Sequence, residues 1–286
     1  MKALSLFLVI LIGSTNLFAK NLSIGLIPGN GKEIRAQAEE FAKILGKQVD
    51  RKVDIFLPKN YQGLINAMKE KKVDFAFFTA MSFVYAEKQA GAKVLLKSVW
   101  DNPYYFSTII TNKGSKLQSL KDLHGKRIAF VDEKSTSGYL LPTLALKEKQ
   151  INYEAVFSGN HKASIELLKK GKVDAVAVFA NDENAAKGAW TVYYPEEKIE
   201  VQKLWISQSL PTDPFTVRQD FYEKNPQLTY DVMFSLMEMP KLNKDKNLLK
   251  ETLGVTEVVV ANSAQYEPIR KMVSSLEASS SPRLDM

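Results

Sequence analysis

The chain contains no cysteine and only two histidines, His124 and His161, among its 286 residues. The first absence excludes a disulfide framework, a cysteine-ligated zinc or iron–sulfur site, a thiol nucleophile and a lipid-modified cysteine. The second leaves no histidine cluster for a metal centre, so neither metal nor organic cofactor is expected. Long apolar runs are equally scarce. The one at Ala3–Gly13 covers roughly ten residues, half of what a helix needs to span a bilayer. No nucleophile elbow, phosphate-binding P-loop or locally supported pair of catalytic carboxylates is found, and no enzymatic activity is expected.

What is present begins with Met1-Lys2, that apolar run, a polar break and Ala19, the pattern of an export leader cleaved after residue 19. The expected compartment is a bacterial periplasm. The net charge of +7 then points to small anions rather than to nucleic acid. Hydrophobic residues at 45% and charged residues at 25% describe an ordinary globular chain, long enough for two mid-sized units.

Strand and helix patterns alternate. Asn21–Pro28 reads as a strand before a Gly29-Asn30-Gly31 turn. Glu33–Lys47 then places Ile34, Ala38, Phe41, Ala42 and Leu45 on one helical face. Lys52–Leu57 reads as a strand, Tyr61–Lys71 as a helix and Val73–Phe78 as a buried strand, with similar units from Arg127 to Phe179. Beyond about Asp220 the chain is helical, and a polar tail is expected from Ala278. The two α/β units also repeat at an offset of one hundred residues. Asn60/Asn160, Ile65/Ile165, Lys69/Lys169 and Lys72-Val73-Asp74/Lys172-Val173-Asp174 coincide, which puts Tyr61 and His161 at equivalent helix starts. Two similar open sheets that face each other make a clamshell, with ligands collecting at the loops beyond the strand ends.

Chemistry concentrates at Ser135-Thr136-Ser137-Gly138, between a strand ending at Val131 and a helix. Free N–H groups at a helix start, the positive end of its dipole and three hydroxyls suit a small anion. A plain N-cap needs only one hydroxyl. His124 before Gly125 reads as a helix C-terminal residue without a function. Trp100, Trp190 and Trp205 lack a common spacing and read as packing, and the lysines of 166–172 as a solvated helix face.

Asn60-Tyr61-Gln62-Gly63, the Lys121–Arg127 run, Ser135-Thr136-Ser137-Gly138, Gly159-Asn160-His161 and Leu210-Pro211-Thr212-Asp213-Pro214 together resemble the PhnD-type phosphate/phosphite/phosphonate-binding proteins. These are periplasmic receptors of ABC importers, and the likeness runs from about Leu22 to Arg270. It implies an α/β fold of the periplasmic binding protein type II kind, two lobes joined by two crossover strands with the ligand cleft between them. The leader would be 1–19, lobe one 20–107 with 208–286, and lobe two 108–207. It further implies a monomer that closes on a phosphonate, phosphite or phosphate oxyanion and engages an inner-membrane ABC permease. Its ligand-binding set maps onto Tyr61, Tyr105, Ser135, Thr136, Ser137, His161, Glu183 and Asp213, with Glu183 meeting the amino end of aminoalkyl ligands. Thr79-Ala80 departs from the small-residue-plus-proline or Gly-Asn variants of the family.

Within that set, a bound oxyanion would favour the imidazolium of His161. Asp213 would favour ligands that bring a proton, a P–OH or an ammonium, and would repel sulfate. Two alternatives stay open: a receptor of the same build for a sulfonate or a thiamine precursor, or a sensory module feeding a membrane kinase or chemoreceptor.

Overall fold

The computed structural model describes residues 21–27, 31–100, 102, 104–243 and 247–280. The expected leader and most of the glycine turn after Pro28 lie outside them. Among the described residues no helix is long and apolar enough to cross a membrane.

Strand β1 (Leu22–Gly25) leads to helix α1 (Gly31–Gln48), whose Ala38, Phe41, Ala42 and Leu45 are buried as the periodicity demands. There follow β2 (Val53–Phe56), α2 (Tyr61–Lys69), β3 (Phe75–Phe77), α3 (Ala80–Ala90) and β4 (Ala92–Val99). The chain then crosses to a second sheet with β5 (Tyr104–Asn112), β6 (Arg127–Phe130), α4 (Leu141–Glu148), β7 (Glu154–Phe157), α5 (His161–Lys169), β8 (Ala175–Ala180), α6 (Ala189–Tyr193), β9 (Val201–Ile206) and β10 (Leu210–Pro211). It returns with β11 (Pro214–Arg218) and closes through α7 (Gln219–Lys224), α8 (Pro226–Glu238), α9 (Leu248–Leu253), β12 (Glu257–Val260) and α10 (Glu267–Ser280). Helix α10 thus runs three residues, Ala278 to Ser280, into the segment read as a polar tail.

The first sheet has the order β12-β4-β11-β3-β1-β2 and the second β10-β5-β8-β6-β7, with β9 also on β5. In each, three strands are parallel (β2-β1-β3 and β7-β6-β8), and antiparallel strands extend one side. The inner strand β3 is covered on both faces, so it reads Phe75-Ala76-Phe77 without alternation and is wholly buried. The crossings lie between Val99 and Tyr104 and between Pro211 and Pro214. Residues 107/108 and 207/208 therefore fall after the outward crossing and before the return. The crossover strands run side by side, with Leu210 opposite Tyr105 and Pro211 opposite Tyr104.

The repeat is built into both lobes at atomic detail. Asn60 caps α2 by accepting from Gly63 N–H at 2.8 Å, and Asn160 caps α5 by accepting from Ala163 N–H at 2.9 Å. Both helices span nine residues, so the helix expected to reach Lys71 ends earlier. Both chains then turn through the left-handed region, at Lys71 (φ 59°) and Gly171 (φ 63°). Asp74 accepts from Ser23 N–H at 3.1 Å and Asp174 from Arg127 N–H at 2.8 Å, each tying the strand after its helix to a neighbour.

The lobes differ beneath that likeness. In lobe one Arg218 is buried against Asp74 (3.3 Å), donates to Val73 C=O at 2.7 Å and also pairs with Asp220. Lys71 Nζ lies 2.8 Å from Asp220, and its hydrogen bond leads in holding that carboxyl down to about 2. Among the described residues no ion pair plays this part at Asp174.

One apolar cluster sits between the sheet-one strands and α1, α8 and α9. Two more cover the faces of sheet two. The remaining cluster joins the lobes: Leu140 and Leu141 pack with Leu64, Phe78, Met81, Phe83 and Tyr105. All three tryptophans pack, Trp190 in the lobe-two core and Trp100 edge-on to Tyr105 with ring centroids 5.9 Å apart.

Candidate functional site

The hydroxyl turn after β6 is wider than an α-helical start. Thr136–Leu140 forms a single π-turn ahead of α4. Pro142 explains it: lacking an N–H, it leaves the Gly138 carbonyl without its helical donor, and Val131 N–H takes that place at 3.1 Å. Leu140 N–H reaches back to Ser135 C=O at 3.0 Å. Ser135 caps the turn by accepting from Gly138 N–H at 3.1 Å, which leaves its own proton free to donate. Ser107 Oγ fixes the far side by donating to Ser137 C=O at 2.7 Å.

Gly138 is required here by space. A Cβ on it would stand 2.4 Å from Val131 Cγ2 and 2.9 Å from Ser135 Oγ. Gly138→Ala is expected to cost about 1–3 kcal/mol as an overpacked site and to weaken ligand binding, read by thermal melting and calorimetry on the same sample.

Two phenols face the turn. Tyr61, the first residue of α2, is buried with its side chain close to Ser135. Tyr105, on β5, is buried within reach of Thr136. Burial raises both hydroxyls well above the ordinary tyrosine range, and the Asp213 carboxylate raises them further. Asp213 sits at the return crossing, where its carbonyl accepts from Ser98 N–H at 2.9 Å. Burial lifts its carboxyl to about 7, and its charge also acts on Tyr193 and Tyr266.

His161 opens α5, as Tyr61 opens α2. Its ring stands edge-on to Phe179 at 4.9 Å, and Phe179 packs edge-on to Tyr193 at 6.2 Å. Its Nδ1 is buried without a hydrogen-bond partner. Burial lowers its pKa to about 3, so the imidazole is neutral in the ligand-free protein.

The structure therefore gathers Tyr61, Tyr105, Ser135, Thr136 and Asp213, places Ser137 in the same turn, and joins His161 to the group through Phe179 and Tyr193. It does not gather Glu183. That side chain is exposed on the loop after β8, where Asp182 accepts from the N–H groups of Asn184, Ala186 and Lys187. Asp182 organises the loop and Glu183 is turned outward.

Sequence reasoning passed over Tyr193, Asp132 and Tyr266. The Asp132 carboxyl lies near the Tyr61 backbone N–H across the lobes and accepts from Lys134 N–H at 2.8 Å, and burial raises its pKa. Tyr266 donates to Thr212 C=O at 2.8 Å and braces the return crossing. An acid three residues before the hydroxyl turn was a readable signal for Asp132. The tandem Tyr193-Tyr194 at the end of a five-residue helix offered none.

Two α/β lobes on paired crossover strands, with hydroxyls, phenols, an imidazole and a carboxyl converging between them, define a solute receptor of the periplasmic-binding type. The model of the family described as "ABC transporter, phosphonate, periplasmic substrate-binding protein" matches residues 24–266, and the chain belongs to that family. The phosphonates-binding periplasmic protein of Escherichia coli K12 is 26% identical over 264 residues, covering 88% of this chain and 76% of that protein. A structure of PhnD1 from Prochlorococcus marinus (MIT 9301) in complex with methylphosphonate shares the fold with a TM-score of 0.76, at 24% identity, covering 90% of this chain and 98% of that one. The aliphatic sulphonate binding protein SsuA of E. coli also shares it, with a TM-score of 0.61 at 15% identity, covering 91% and 92% of the two chains.

Proposed function

We propose that this chain is a periplasmic receptor that grips the tetrahedral oxyanion of a phosphonate, phosphite or phosphate between its lobes and delivers it to an ABC permease of the inner membrane. It acts as a monomer, after removal of residues 1–19, without metal or organic cofactor. Ser135, Thr136 and Ser137 donate to the oxygens from lobe two, Tyr61 from lobe one, Tyr105 from the crossover strand β5, and His161 from the start of α5. The observation that carries this reading is the facing of Tyr61 with Ser135 and of Tyr105 with Thr136. An anion at these donors makes contacts to both lobes that an open form lacks, and only such differential contacts drive closure. Glu183 lies exposed, which favours small substituents on phosphorus over an aminoalkyl arm.

Asp213 supplies the selection. Its buried carboxyl, raised to about 7, is a hydrogen-bond donor while neutral and a repelling charge once ionised. A bound oxyanion raises it further. Affinity is therefore full below about pH 7 and falls as pH rises through that value, by up to tenfold per unit until the bound-state value is passed. Calorimetry with phosphite, methylphosphonate, phosphate, 2-aminoethylphosphonate and sulfate tests the reading. At about pH 8, binding of a phosphorus dianion should take up close to one proton, read from buffers of different ionisation enthalpy, and Asp213→Asn should remove most of that uptake. Sulfate bound as tightly as the phosphorus compounds, or no proton uptake, overturns the role of Asp213. Absence of heat with every phosphorus compound overturns the receptor assignment itself.

A further inference from the structure

Thr79-Ala80, where the chain departs from the family pattern, opens α3 on the lobe-one side of the cleft. Thr79 is buried, and its hydroxyl is used up within the protein. It accepts from Ser82 N–H at 3.1 Å as the N-cap of α3, and it donates to Lys134 C=O at 3.0 Å across the lobes. The next free amide of the helix start, Met81 N–H, donates to Thr136 Oγ1 at 2.8 Å. Lys134 adds a third contact, with Nζ 3.8 Å from the centroid of the Tyr85 ring on α3. Three kinds of contact thus run from the first two turns of α3 to residues 134–136 of lobe two, and the apolar packing of Leu140 and Leu141 on lobe one continues the seam.

We propose that Thr79 and Lys134 are positioning residues that clasp the two lobes without touching ligand, and so set the affinity for every ligand by the same factor. The start of α3 has the makings of an anion subsite. Yet two of its N–H donors, those of Ser82 and Met81, are satisfied by protein hydroxyls, Thr79 Oγ1 and Thr136 Oγ1, and these two serve closure instead. Apparent affinity scales with the fraction of molecules in the binding-competent form. A contact present only in the closed form, whether or not ligand is there, changes that fraction and leaves the ratio between ligands untouched. The contact from Met81 N–H has a second effect: it occupies a lone pair of Thr136, whose own proton is then left to donate toward Tyr105 or a ligand.

This inference rests on the receptor reading for its affinity arm, and a second arm is independent of it. In the first, Thr79→Val and Lys134→Met are measured with phosphite and methylphosphonate. Thr79→Val loses one neutral hydrogen bond across the lobes, which predicts about a 2- to 12-fold rise in Kd, while Lys134→Met keeps the accepting carbonyl and loses the contact to the Tyr85 ring, which predicts about a 2- to 5-fold rise. Each rise should be equal for both ligands and carried by faster dissociation, with Thr79→Ser restoring the original values. Because the chain has no cysteine, spin labels can be placed at Lys59→Cys and Lys162→Cys, exposed positions at the starts of α2 in lobe one and α5 in lobe two. In the second arm, Thr79→Val should move the label–label distances of the ligand-free protein toward longer values. A change that differs between the two ligands would make Thr79 a ligand contact and overturn the clasp. Unchanged Kd together with unchanged distances would overturn it as well. If the unaltered chain binds neither compound, the receptor reading fails while the distance measurement still decides the clasp.

Discussion

Arg218→Met is expected to remove about 3–5 kcal/mol of stability, the cost of leaving a buried carboxylate without its partner. Asp74 is almost wholly buried and faces the guanidinium, which also holds Val73 C=O and Asp220. Methionine fills the volume but supplies no donors. The loss should appear as a lower urea midpoint with an unchanged slope. Asp74→Leu added to Arg218→Met should recover much of it, since a well-packed apolar pair often matches a buried ion pair. The equivalent acid of lobe two gives the contrast: Asp174 is only half-buried and keeps a backbone partner, so Asp174→Asn should cost far less. A loss below 1 kcal/mol for Arg218→Met would show that water reaches the site.

His161→Phe is expected to act on stability and binding in opposite directions. The ligand-free protein buries Nδ1 without a partner, a penalty of about 1–3 kcal/mol for a polar group of this kind. Holding the ring neutral adds a pH term. With the folded value lowered to about 3 and the unfolded value at 6.5, the unfolded chain binds the extra proton between them, so stability falls as pH drops below about 6.5. Phenylalanine removes both costs and keeps the edge-on contact to Phe179. The ligand-free variant should melt higher than the parent at about pH 5 and by a smaller margin at about pH 8. Methylphosphonate binding should weaken by roughly 10- to 150-fold, the worth of a hydrogen bond to a charged group. A change of less than threefold in Kd would remove His161 from the site.

What the sequence disclosed and what it hid divide along a physical line. The hundred-residue repeat was readable because each copy is local: Asn60 and Asn160 cap their own helices, and Asp74 and Asp174 follow at the same spacing. The hydroxyl turn was readable as a site, but not as a π-turn, since its width follows from Pro142 acting on Gly138 four residues back. Glu183 was misplaced because Asp182 competes for the same loop and wins three backbone donors. Lys134 was silent, and the roles of Asp132 and Thr79 were hidden, because their partners belong to the other lobe, more than fifty residues away in sequence. Tyr193 and Tyr266 reach Asp213 only through the folded chain, and no spacing announces them.

The pairing of the crossover strands has a mechanical consequence. Tyr105 and Leu210 face each other where the chain passes between the sheets, so the two connections cannot twist independently and swing is confined to nearly one axis. Tyr105 is part of that pivot. Under the proposed function a ligand held by its hydroxyl acts on the pivot itself, so a solute of only a handful of atoms would be felt by both lobes at once.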